Sequence, residues 1–165
     1  MNYNTNMTEN RKIDIRTINE NGPKISFKAT EAERASLAER FDVPAIYKLE
    51  VNGTFGYDDL ITFDGEMHLS LERECVITLK SFTEETTKPV HLLFSENPKD
   101  TDNPEEDILP IHKGKIDLFE IFAEEFGLAL NPFPKSVNTY LDYHDTEEDT
   151  KENPFSVLKK FKKED

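Results

Sequence analysis

The chain has 165 residues, 36% hydrophobic and 33% charged, with 34 acidic against 20 basic side chains and a net charge of −14. That length suits one domain rather than two, and the negative field excludes uniform electrostatic binding to a phosphate backbone or an anionic lipid surface, leaving only a local basic patch open. Cys75 is the sole cysteine, which excludes an intramolecular disulfide and a multi-cysteine zinc site and suits a reducing compartment.

Residues 1–10 are polar and Asn-rich, as in a frayed tail. Ile13, Ile15 and Thr17 then share one face, and Ile25 with Phe27 share a face after the Asn21-Gly22-Pro23 break, which predicts two strands joined by a turn. Thr30-Glu31-Ala32-Glu33 has the form of a capping box, so a helix is predicted over 31–41 with Ala32, Ala35, Ala38 and Phe41 inward and Glu31, Arg34 and Glu39 outward. Pro44 ends it. Tyr47, Leu49 and Val51 alternate with polar residues, predicting a half-buried strand that runs through Thr54 and Phe55 with irregularity at Gly53 and Gly56. Met67, Leu69 and Leu71 alternate with His68, Ser70 and Glu72, and the apolar-rich 75–79 reads as a strand or its continuation. A further strand is predicted over 87–94, where Pro89 favours an edge or a strand end.

The stretch 95–107 holds six acidic residues, two prolines and one lysine, the composition of a solvated loop. Asp117 is a helix cap with Glu120 three residues on, and Leu118, Ile121, Phe122, Phe126 and Ala129 define an apolar face to about residue 130, where Pro132 and Pro134 stop the helix. Residues 139–152 are again acidic and read as a linker. Asn153-Pro154 then opens a short amphipathic helix over 153–165, with Phe155, Leu158 and Phe161 on one face and Lys159, Lys160, Lys162 and Lys163 in its last turn. The predicted architecture is an α+β domain over 11–138, with an antiparallel sheet of about five to seven strands, two main helices and the short C-terminal helix.

No G-x-S-x-G, P-loop, G-x-G-x-x-G, H-E-x-x-H or EF-hand pattern occurs. Cys75 would be a nucleophile only if His68, His91 or His112 approached it, because a thiolate needs a base or a cationic neighbour; a packed strand residue is the plainer reading. Glu120, Glu124 and Glu125 lie on one helix, a candidate for holding a divalent ion or sharing a proton, against a helix cap with a solvated face. The histidines at 68, 91, 112 and 144 show no metal-ligand spacing. The C-terminal lysines are candidates for phosphate contact with Phe155 or Phe161 stacking on bases, or for a tail that docks on its own domain or on a protein partner. Arg73, Lys80, Lys88, Lys113, Lys115 and Lys135 are candidates for a second basic face.

Three segments, 69–79 (LSLERECVITL), 116–120 (IDLFE) running to 128–134 (LALNPFP), and 153–158 (NPFSVL), in that order and spacing, resemble the YceD family of large ribosomal RNA subunit accumulation proteins, the likeness extending from about residue 25 to 160. The resemblance implies a cytoplasmic, bacterial or organellar, non-enzymatic ribosome-biogenesis factor needed for accumulation of large-subunit ribosomal RNA, with no catalytic residues and no cofactor. In many members a second cysteine follows the first as C-x-x-C, and a His and another Cys follow the second helix, a set suited to metal binding. Here Thr78 stands in the second cysteine's place and no further cysteine is present, so no metal is expected. The resemblance makes Cys75, Thr78, Leu79, Asp117, Leu118 and Glu120 structural motif positions.

The expected partner is a large-subunit ribosomal RNA precursor, reached through a ribosomal or RNA-processing protein whose basic surface the acidic segments complement, and not DNA or a membrane. The candidate partner surface is Asn131, Pro132, Phe133, Pro134 and Lys135 together with Asn153, Pro154, Phe155, Leu158 and Lys159, exposed Pro-Phe elements between polar segments. Two other readings stay open: an acidic protein-binding adaptor without a ribosomal role, and an enzyme that depends on Cys75.

Overall fold

The computed structural model describes residues 11–20, 22–97 and 107–137. Most of the acidic stretch at 95–107, the acidic linker, the expected tail helix and the N-terminal tail lie outside the described residues. The fold is α+β, in the chain order β1 (Lys12–Asp14), β2 (Lys24–Lys28), α1 (Glu31–Arg40), β3 (Ala45–Tyr57), β4 (Ile61–Glu74), β5 (Ser81–Ser95), β6 (Ile108–Pro110), β7 (Lys115–Asp117) and α2 (Leu118–Ala129). Five strands form one sheet in the order β2-β3-β4-β5-β6, antiparallel except for β5 with β6, which run parallel; β1 and β7 form a separate antiparallel pair. The sheet is therefore mixed rather than wholly antiparallel, and β1 and β2 do not form the hairpin expected of neighbouring strands. No helix among the described residues is long and apolar enough to cross a membrane.

Strands β3, β4 and β5 are long because alternation holds along them: Leu49, Val51 and Phe55, then Phe63, Met67, Leu69 and Leu71, then Val90, Leu92 and Phe94 all turn to the buried face. The irregularity in β3 lies at Tyr47 and not at Gly53 or Gly56. Ile46 pairs with Leu71 and Lys48 with Ser70, so Tyr47 is the extra residue of a bulge.

Gly53 stays in register opposite Gly65, and the two backbones approach closely. A Cβ on Gly65 would stand 2.4 Å from the Asn52 carbonyl oxygen and 2.8 Å from the Gly53 Cα. Gly65→Ala will therefore destabilise the domain by about 1–3 kcal/mol, the usual cost of forcing atoms into filled space. Urea unfolding will show it as a lowered midpoint at constant slope.

Helix α1 starts on the expected capping box, in which the Glu33 amide donates to Thr30 Oγ1 and the Glu33 carboxylate accepts from the Thr30 amide. Its inward face differs from the alanine spacing. Ala32 and Ala35 are exposed, Leu37 is buried, and Arg34 is half-buried with its guanidinium donating to the Ala29 carbonyl. Helix α2 is capped by Asp117, which accepts from the amides of Phe119 and Glu120, and buries Leu118, Phe122, Ala123 and Phe126. The Phe122 ring meets Phe27 of β2 at 5.1 Å and Phe63 of β4 at 5.4 Å, so α2 covers the sheet's apolar face. Phe41 packs edge-on against Phe126, and Arg40 pairs with Glu120, joining α1 to α2.

Candidate functional site

The apolar run 75–79 is not a strand. Strand β4 ends at Glu74, which pairs with Ser81 at the start of β5, and residues 75–80 make the turn between them. The Cys75 amide donates to the Lys80 carbonyl, the Leu79 amide donates back to the Cys75 carbonyl, and Leu79 takes a left-handed φ of 55° to close the loop. A β-rich composition is overridden here by a turn that needs one residue in a conformation branched side chains avoid.

This turn is tied to the segment that follows α2. The Val76 amide donates to the Pro134 carbonyl at 3.0 Å, and Arg73, buried at the end of β4, donates to the Asn131 carbonyl at 2.6 Å. The backbone N–H of Ser136 reaches the Cys75 sulfur. Two of the three segments that carried the resemblance thus meet at one end of the domain. Of the candidate partner residues, Asn131, Pro132, Phe133 and Lys135 are exposed there, whereas Pro134 is buried. Asn153, Pro154, Phe155, Leu158 and Lys159 lie outside the described residues.

Cys75 is fully buried. Its thiol is pulled down from an ordinary value near 9 to about 6, chiefly by the Thr78 hydroxyl and then by backbone N–H groups of Ser136, Thr78 and Ile77, all of which favour the thiolate. Thr78 serves here as a hydrogen-bond donor to sulfur. Two of the three candidate bases are engaged elsewhere, His68 with Thr87 on β5 and His91 with Asp64, while His112 is exposed in the turn before β7, where its backbone bridges to Lys115. One thiol beside one hydroxyl does not make a metal-binding set, and no group of three or more His, Cys, Asp or Glu side chains placed to hold a metal occurs among the described residues. The arrangement stabilises charge on sulfur and fixes the turn; among the described residues the groups that act on the sulfur are the Thr78 hydroxyl and backbone amides.

The depressed thiol carries a pH consequence. Between about pH 6 and about pH 9 the folded protein holds the thiolate while the unfolded chain holds the proton, so this contribution to stability grows across that window and is lost as pH falls through about 6. Cys75→Ser will remove it, and the gap in melting temperature between the native protein and the variant will widen from pH 6 to pH 9. A gap independent of pH would contradict the sulfur environment described.

The other candidates separate in space. Glu120 faces Arg40, while Glu125 is half-buried and its carboxyl is pushed up by burial and then by Glu124. Arg73 points inward, which removes it from the proposed second basic face. Lys113, with a left-handed φ of 54°, sits with Gly114 in the turn that leads into β7, and Lys115 begins β7. Arg73 as an anchor is the functional residue the expectations missed. Its signal was parity: Met67, Leu69 and Leu71 face the core, and Arg73 is the next residue on that face.

No family model, curated protein or solved structure matches the chain.

Proposed function

We propose that the protein is a non-enzymatic factor that promotes accumulation of large-subunit ribosomal RNA, working in the cytoplasm through contact with a ribosomal or RNA-processing protein. The observation that carries this reading is the junction of 69–79 with 131–136. Two segments of the family-like pattern, far apart in sequence, are held together by Arg73, Val76 and Cys75 and present exposed apolar side chains at one end of the domain. A non-enzymatic role is supported by a sulfur that is covered and surrounded by hydrogen-bond donors rather than by a base. A protein partner, rather than RNA alone, is supported by the net charge of −14.

The test is the ratio of large to small ribosomal RNA in cells depleted of the protein, with a rescue control. A selective fall in the large RNA, restored by the native chain, is expected. An unchanged ratio with depletion verified would leave the acidic adaptor reading in front, and full complementation by Cys75→Ser would remove the enzyme reading.

A further inference from the structure

The end of the domain where the β4–β5 turn meets the post-α2 segment carries Val76, Leu79, Phe133 and Val137, which are 46%, 71%, 68% and 86% exposed. The hydrogen bond from Val76 to Pro134 and the contact of Cys75 with Ser136 hold these residues on one fixed platform. Large side chains grouped on a surface in this way mark a place that something covers. Two observations identify the occupant. The chain leaves the described residues at Val137, inside the patch itself, and residues 138–154 then lead in sequence to Phe155, Leu158 and Phe161, spaced three apart, the sequence period of an amphipathic helix. A coil of seventeen residues, the number from 138 to 154, has a mean span of roughly 20 Å, enough to return to the surface it starts from.

Charge agrees with this. Residues 153–163 contain four lysines and no acidic residue, the most basic stretch of a strongly acidic chain. Glu74 and Glu85, both exposed, lie on one face of the β4–β5 hairpin arms that lead to the turn. We propose that residues 153–163 seat on this patch within the same molecule, with Phe155, Leu158 and Phe161 covering Val76, Leu79, Phe133 and Val137 and the lysines meeting the hairpin carboxylates. Tethering supplies an effective concentration near the millimolar range, so even a weak contact closes. The seating is a property of the chain alone and does not depend on the ribosomal reading; a partner that uses the same surface must displace the tail.

Hydrogen exchange on the full chain, read by mass spectrometry, tests this with two reciprocal variants. Phe155→Asp with Leu158→Asp leaves the described core untouched, and exchange at 75–80 and 133–137 is expected to rise about tenfold. Leu79→Asn, at an exposed position whose left-handed φ suits Asn, is expected to raise exchange in 153–163 by a similar factor. Unchanged exchange at both sites overturns the proposal. So does protection that fades on dilution while sedimentation shows a dimer giving way to monomer, which would assign the patch to a second copy.

Discussion

Phe122→Ala will lower the unfolding free energy by about 3–5 kcal/mol, the range for deleting a fully buried aromatic ring. Phe122 is the point at which α2 meets the sheet, edge-on to Phe27 of β2 and tilted against Phe63 of β4, and Phe63 in turn lies tilted against Phe55 of β3 at 5.0 Å. Removing the ring opens a cavity between layers that the backbone cannot close, because the strands there are held by unbroken pairing over Lys24–Lys28 of β2 and Lys48–Tyr57 of β3. A domain of this size has about 5–15 kcal/mol to lose, so the variant stands near its folding threshold. Leu128→Ala provides the control on the same helix: Leu128 is 81% exposed, and its loss will stay within about 0.5 kcal/mol. Denaturant melts of the two variants, compared at constant slope, read the difference directly.

That core was legible where a signal was local. The Thr30 and Asp117 caps lie within a few residues of the amides they satisfy, so the starts of α1 and α2 followed from the sequence alone. Alternation in 49–55 and 67–71 likewise showed which face of the sheet is buried, whereas Tyr47, expected on that face with Leu49 and Val51, is the bulge residue and stands 52% exposed. Alanine spacing misled on α1, because Ala32 and Ala35 have little surface to bury, whereas Leu37 and Phe41 lie four apart and set the orientation with their larger side chains. The β1–β7 pair joins strands of three residues from opposite ends of the described chain, too short for a period and too distant for a window of sequence to connect. The parallel β6 escaped because it too is only three residues long.

The candidate site shows the same division. Segments 69–79 and 131–134 each stand out in the sequence, but nothing in either states that they touch. Their contact rests on backbone groups, the Pro134 and Asn131 carbonyls and the Ser136 amide, which every sequence offers equally. Only the fold selects them. The residues of the apolar run at 75–79 favour extended backbone, while their partners across the domain hold them as a turn.

Arg73→Ala will cost about 2–3 kcal/mol and will act first on the segment after α2. Arg73 is only 9% exposed; its guanidinium donates to the Asn131 carbonyl, with the Glu84 carboxylate 4.0 Å away. A charged hydrogen bond of this kind is worth about 1.5–3 kcal/mol, and its loss also leaves a carbonyl and a half-buried carboxylate without their cation. Arg73→Lys will recover part of the stability but not all, since a single ammonium cannot reproduce the planar fork that reaches both groups. Amide exchange at Val76 and at Ser136 will quicken before the rest of the sheet opens, because those amides bridge the turn to the segment Arg73 anchors. Leu37→Ala removes a buried side chain from α1 that makes none of the junction's hydrogen bonds, at a comparable cost of about 2–5 kcal/mol. Under the ribosomal reading, Arg73→Ala will fail to restore large ribosomal RNA in depleted cells when expressed at the level of a Leu37→Ala variant that does restore it. Equal rescue by the two would mean that the junction supports the fold alone and that the partner surface lies elsewhere.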